Sequence, residues 1–543
     1  MQRFILLISA ILLSLAWLSP DHYTPWLTFS SEMFAFASMM CLLALYYDQP
    51  LEVPKLQVGW MLVVLIPLIQ WCFSIELYFS KALLSSSYLF AFGMVVVLGH
   101  NMAKDYEKRS LFTAISLMLF IVGFITSIIA LLQWFDLEKN IWGLMELKGN
   151  RPYANFAQPN NMATFLLMSL MGALYVFEKR SIPVWLTALG VGIILFCIAL
   201  SQSRTPWIAC IVLSCYFLLK HKHDRYHFSK KHLLLWVLLY LNCLLWIPYL
   251  NSLLVDVGIS QAQMSDIVQR ANTSHSRFGI WKQMLYAIRE QPWLGYGWNQ
   301  TGMAQLVGAD YVVHSERTNS AHNIVLEIIV WNGIILGTCI LAYFAYWLWT
   351  LNRVVRSKET LIASLIVLSV AIHAMLEFPQ NYAYFLLPVA FLLGFIQSET
   401  TSSVAFKMKG GVNTCILIVC ILLYGLIWRD YIHAVDGLSD GRKHTDAGLA
   451  KQPATQVFML TEYSARTEWY YLDRFTHLTP QELLHFHRAV LVSPSHYDLY
   501  KYAQLLAFNG QSAEAMHQLT LIQGLYRMKH DPKQLTQRSE NQN

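Results

Sequence analysis

The chain has 543 residues, 56% of them apolar or aromatic and 13% charged, and its mean hydropathy is +0.41. That is too hydrophobic for a soluble protein of ordinary composition, and it places the chain in a membrane. The formal net charge of +6 is modest, so where the charges lie says more than their sum.

Arg3 followed by an apolar run to Leu18 has the outline of a secretory signal. No small-residue cleavage site precedes Pro20 and further spans follow, so the run reads as a retained first helix. Runs able to cross about 30 Å of hydrocarbon lie near residues 4–19, 29–47, 58–78, 83–100, 111–135, 160–177, 182–201, 205–219, 232–250, 321–350, 360–376, 383–397 and 412–428. The expected fold class is therefore all-α, a polytopic membrane protein of about thirteen transmembrane helices with a large loop and a small helical C-terminal domain. The segments are 1–135, N-terminal transmembrane helices; 136–250, central helices; 251–321, the loop; 322–428, C-terminal transmembrane helices; and 429–543, the tail. Nine cysteines all fall within apolar runs without a CxxC pair, so they read as small hydrophobes and suggest no metal or disulfide framework.

Alternate loops carry Lys104, Lys108 and Arg109; Lys179 and Arg180; Lys220, Lys222, Arg225, Lys230 and Lys231; Arg353, Arg356 and Lys358; and Lys407 and Lys409. The short loops opposite carry only Lys81, Lys139, Lys148, Arg151 and Arg204. By the positive-inside rule the first set is cytoplasmic, which puts loop 251–321 and the C-terminus on the far side, expected to be a periplasm.

Loop 251–321 is too long for a turn and reads as functional. Its charges cancel: Asp256, Asp266, Glu290, Asp310 and Glu316 stand against Arg270, Arg277, Lys282, Arg289 and Arg317. The balance favours a few placed arginines over a polyanion-binding patch, and no nucleic-acid partner is expected. In the tail, Thr479-Pro480-Gln481-Glu482 is a helix start with a capping box, and Asn509-Gly510 separates two helical stretches into a hairpin like one tetratricopeptide unit. A helical cap and a docking surface are both open readings of it.

Arg151, Arg204 and Arg277 are expected at membrane–water boundaries on the far side. Arg204 lies in a tight turn between two apolar runs, where a cation is costly without an anionic partner. Guanidinium forks suit phosphate oxygens, while snorkelling to the interface is the alternative. His322, between Ser320 and Asn323, could take a proton from an attacking hydroxyl, although most single histidines are structural. Asn155, Gln158, Asn160 and Asn161 form a carboxamide cluster that could bind sugar hydroxyls or reorganise a helix end. Glu377, four residues after His373, is expected on the same helix side. No P-loop, HExxH, G-x-S-x-G or Rossmann fingerprint is present, which removes support for ATP hydrolysis and zinc proteolysis.

Together these motifs resemble a known family. The run Gly149-Asn150-Arg151-Pro152-Tyr153-Ala154-Asn155-Phe156-Ala157-Gln158-Pro159-Asn160-Asn161-Met162-Ala163 leads into the Ser203-Arg204-Thr205 turn. Ser276-Arg277 with Trp281, Pro292 to Gly297, Ala321-His322-Asn323 and His373 to Pro379 follow in order. They are similar to the bacterial protein O-oligosaccharyltransferases of the PglL type, in the O-antigen ligase/polymerase (Wzy_C) superfamily. The resemblance covers residues 145–400. It implies a glycosyltransferase of the inner membrane that moves a preassembled glycan from undecaprenyl diphosphate to Ser or Thr hydroxyls of pilin or other periplasmic proteins, with membrane lipids around it and no metal or nucleotide cofactor. Carried over, Arg204 and Arg277 would hold the donor diphosphate and His322 would be the catalytic residue acting on the acceptor hydroxyl. Arg151, Gln158, Asn160, Arg317 and Glu377 are candidates for substrate binding. The alternatives are an O-antigen ligase or polymerase with a glycan acceptor, a lipid-linked sugar flippase, and a scaffold working through its tail.

Overall fold

The computed structural model describes residues 1–221, 226–258, 276–401, 404–452 and 456–537. Lys222, Arg225, Asp266 and Arg270 lie outside the described residues. Helix accounts for 73% of the chain and strand for 2%, so the all-α expectation holds with one small exception.

In chain order the elements are α1 (Gln2–Leu18), α2 (Phe29–Ala44), β1 (Leu51–Pro54), α3 (Lys55–Cys72), α4 (Phe79–Asp105), α5 (Lys108–Trp134), α6 (Pro159–Lys179), α7 (Val184–Leu200), α8 (Thr205–Lys220) and α9 (Lys230–Asp256). Two helices follow inside the long loop, α10 (Ser276–Glu290) and α11 (Thr301–Ala309). After them come α12 (Ile324–Val354), α13 (Lys358–Ala374), α14 (Ala383–Gln397), β2 (Val404–Met408) and α15 (Gly410–Lys443). The tail folds as α16 (Thr461–Tyr471), α17 (Pro480–Val492), α18 (His496–Phe508) and α19 (Ser512–Tyr526). Every expected apolar run is thus a helix. Among the described residues seven are long and apolar enough to cross a membrane: α3, α4, α5, α6, α9, α12 and α15. In α9 and α15 only 11% of the most apolar window is buried. Leucines and isoleucines such as Leu234, Leu245, Ile418 and Leu422 therefore point outward, a cost in water and a benefit in lipid.

The chain divides into two compact units. The first comprises Met1–Met61, Phe90–Thr273 and Phe344–Cys420. Within it α6 is central, packing against α5, α7, α8 and α13. Helices α4 and α14 meet backbone to backbone: a Cβ on Gly99 would stand 2.3 Å from the Phe391 carbonyl oxygen, and one on Gly394 2.0 Å from that of Val96. Small residues are what allow so close an approach in a membrane bundle. The exception to all-α is an antiparallel ribbon in which Leu51 faces Met408 and Glu52 faces Lys407. Leu51 and Val53 enter a core with Leu43, Val97 and Leu98, while Glu52 between them bonds Lys104 and Lys407 at 2.9 Å each.

The second unit comprises Leu62–Leu89, Ser274–Tyr343 and Ile421–Asn543. The expected capping box at Thr479 is present, starting α17. The tail helices share one core with the long loop: Leu306 of α11 is buried among Trp469, Phe486, Leu499, Leu505 and Ile522.

Gly394→Leu would drive a side chain into the Val96 carbonyl and is expected to cost about 1–3 kcal/mol. Thermal melting in detergent checks this; a variant that melts with wild type would contradict the backbone contact.

Candidate active site

In the first unit, three loop ends are tied by a row of hydrogen bonds. Arg151 Nε donates to the Ser201 carbonyl at 2.9 Å and Arg151 Nη2 to Asn160 Oδ1 at 3.4 Å; Asn160 Nδ2 in turn donates to Glu377 Oε1 at 3.0 Å. Arg204 closes the Ser201–Arg204 turn as the residue before α8, as its sequence position predicts. Pro159 starts α6, and Gln158 just before it makes no side-chain cap. Helix α13 ends at Ala374 and Glu377 lies in the turn beyond it, its N–H still donating to the His373 carbonyl at 2.8 Å. His373 Nδ1 shares a 2.9 Å hydrogen bond with Thr164 Oγ1.

Part of the carboxamide cluster is spent on backbone. Asn155 Nδ2 donates to the carbonyls of Leu18 (2.7 Å) and Gly143 (2.8 Å), and its Oδ1 accepts from Met145 N. Gln133 does the same for Met145 and Ala154 with its amide and for Tyr153 N and Ala154 N with its oxygen. These side chains satisfy the peptide groups of an irregular loop.

In the second unit, the turn that carries His322 is built around a buried carboxylate. Glu327, fully buried in the first turn of α12, accepts from Thr301 Oγ1, Ser320 Oγ and, at 2.8 Å, the Ala321 N–H. Ser320 Oγ accepts from His322 N at 3.0 Å, and Thr318 Oγ1 lies 3.4 Å from His322 Nε2. His322 itself is left-handed, with φ of 52°, an uncommon conformation for a non-glycine residue. Helix α10 joins this turn directly, since the Trp281 indole donates to the Ala321 carbonyl at 2.9 Å. Arg277 lies one helical turn before Trp281 on the same helix side.

The Pro292–Gly297 motif is structural. Helix α12 breaks at Gly333, where φ is 73°, and the motif runs beside the break. Tyr296 N donates to Val330 O, Gly297 N to Trp331 O, and Ile334 N to Pro292 O. A Cβ on Gly295 would fall 2.5 Å from Gly333 N, so this crossing needs glycine. Gln70 completes it, donating to Trp331 O and accepting from Trp298 N, each at 2.9 Å. Arg317 is used as a brace: its guanidinium donates to Gln305 Oε1, Asn319 Oδ1 and the Pro494 carbonyl. Burial lowers its pKa to about 10.

Sequence reasoning missed Glu327 and Gln133. For Glu327 the signal is present, an acid inside an apolar run, which is costly unless it has a purpose. Gln133 carries no such signal.

A multi-pass helical membrane protein with polar clusters at its helix ends defines the class. The O-antigen ligase family matches residues 189–341, the C-terminal family of virulence factor membrane-bound polymerases matches 361–540, and the protein glycosylation ligase family matches 152–177. The chain is 41% identical, over 99% of its length and 95% of the relative's, to a general O-oligosaccharyltransferase of Acinetobacter baylyi. A ComP-specific O-oligosaccharyltransferase of the same organism is 28% identical over 88% of this chain and 87% of its own. The chain belongs to the PglL-type protein O-oligosaccharyltransferases of the O-antigen ligase superfamily. It is a glycosyltransferase of O-linked protein glycosylation, with a glycan donor and a protein acceptor.

Glu327→Ala would strand two hydroxyls and an N–H in a buried space, at a cost of about 3 kcal/mol or more. The variant should melt lower and lose transfer, with Glu327→Gln intermediate in both. Wild-type transfer by Glu327→Ala would show that the turn does not depend on this carboxylate.

Proposed function

We propose that the chain transfers a preassembled glycan from undecaprenyl diphosphate to Ser or Thr hydroxyls of pilin or another exported protein. On this reading it is an inner-membrane protein of thirteen spans, with loop 251–321 and the tail in the periplasm, where the basic-residue asymmetry would put them. Arg277 and Arg204 hold the donor diphosphate, and His322 takes the acceptor proton. The observation that carries the reading is the bond from Trp281 to the Ala321 carbonyl, which makes the helix of Arg277 and the turn of His322 one piece of structure.

The chemistry is a single displacement. The acceptor oxygen bonds to the anomeric carbon as the bond from that carbon to the diphosphate oxygen breaks. The electron pair leaves with the diphosphate, and the hydroxyl proton goes to the imidazole. Diphosphate is a good leaving group once its charge is met by guanidinium forks, so the enzyme chiefly supplies position, cations and a base for a weak nucleophile. Arg151, Gln158, Asn160 and Glu377 are proposed to line the substrate path, with Arg151, Asn160 and Glu377 acting as the hydrogen-bonded row described above. Arg317 acts by bracing the loop.

The test is transfer of a lipid-diphosphate-linked glycan to pilin by purified protein. His322→Ala should lose about 10²–10⁴-fold in rate, and Arg277→Ala about 10²-fold or more, with both still folded. Full transfer by His322→Ala would remove the proton acceptor from the mechanism; wild type that transfers to other periplasmic proteins and never to pilin would move the acceptor elsewhere.

A further inference from the structure

Within the second unit lies a cavity of about 150 Å³ that no step above uses. Its polar lining is Lys81, Asn299 and Asn319; Gln300 also borders it, with its amide spent on the Ile75 and Tyr296 carbonyls, and Met303 and Val492 are the apolar neighbours. It is smaller than the pockets of about 300–1,000 Å³ that hold drug-sized ligands, so it suits one small ring. Asn319 is three residues before His322, a chain reach of at most about 11 Å.

The lining is rich in donors and poor in negative charge. Asn319 Oδ1 is occupied by the Arg317 guanidinium at 2.6 Å, which leaves its amide N–H groups as the available function. Asn299 is exposed and borders the cavity. The Lys81 ammonium stands 4.0 Å from Glu462, a long ion pair that leaves donor capacity over. Glu76 is buried beside Gly297 and is not one of the lining residues. No carboxylate is among the lining residues described. A sugar ring answers this pattern, because its hydroxyl and ring oxygens accept from ammonium and carboxamide N–H groups.

We propose that this cavity is a subsite for one pyranose ring of the donor glycan, beyond the sugar that is joined to the acceptor. The inference rests on the glycan-transfer reading, and Lys81 favours a ring bearing a carboxylate. The tail takes part because Val492, at the end of α17, forms one wall.

Lys81→Met removes the cation, and Val492→Trp fills the space from a partly exposed position without touching the polar groups. Both are compared with wild type on two lipid-diphosphate donors, one carrying the full oligosaccharide and one a single sugar, with folding checked by gel filtration and melting. The ratio of kcat/KM for the oligosaccharide donor to that for the monosaccharide donor should fall about tenfold in Lys81→Met, as the loss of one charge-assisted hydrogen bond predicts, and should also fall about tenfold or more in Val492→Trp, where the ring is shut out of the cavity. The KM for the protein acceptor should stay put. Equal losses on both donors, an unchanged ratio, or a rise in acceptor KM alone would overturn the subsite. Wild type that transfers neither glycan would count against the transfer reading instead.

Discussion

A carboxylate buried away from solvent organises the turn on which the proposed chemistry depends. Glu327 accepts from two hydroxyls and one backbone N–H, and so ties two segments to the first turn of α12: the start of α11, through Thr301, and the turn before His322, through Ser320 and Ala321. Burying a carboxylate is expensive, and it is tolerated because three hydrogen-bond donors meet it. The return is a left-handed His322 held by its neighbours. A histidine in a flexible loop would spend most of its time in other conformations, and a base for a weak nucleophile gains from being placed beforehand.

The same economy recurs in how loop and tail are joined. The tail helices bury their apolar faces on one another, and Leu306 and Ala309 of α11 enter the same core. Arg317 extends the junction by reaching the Pro494 carbonyl from the loop while it holds Asn319 and Gln305. A tail built this way is continuous with the loop's core. A docking role for it would concern the surface it leaves outward, since its inner face is already occupied.

Much of the fold was legible because lipid imposes a simple rule: a run of apolar residues must close its own backbone hydrogen bonds and becomes a helix. All thirteen runs did so. The two-stranded ribbon was not read, although Leu51-Glu52-Val53 alternates as a half-buried strand should, because four residues are too few to stand out beside long helices. Around the candidate site the legibility was uneven. Arg204 fell in its turn, since two helices and a short polar link leave little choice. Glu377 was placed on a helix that stops three residues earlier, because Phe378-Pro379 ends regular structure sooner than spacing alone suggests. The packing partner of Pro292–Gly297 could not be read locally, since it is a break in α12 some forty residues away.

Backbone groups freed by breaks and irregular loops account for several of the buried carboxamides. Interrupting a membrane-length helix at Gly333 frees the carbonyls of Val330 and Trp331, and in a medium without water each freed group must find a donor. Gln70 and the backbone of Tyr296 and Gly297 supply them. In the other unit Gln133 and Asn155 perform the same service for an irregular loop. A charged side chain could donate as well, but it would carry its desolvation cost into the bundle, whereas an amide brings two donors and an acceptor at no net charge. The charges that remain at depth, such as Glu327, are then conspicuous, and each must be matched by several partners or by a substrate.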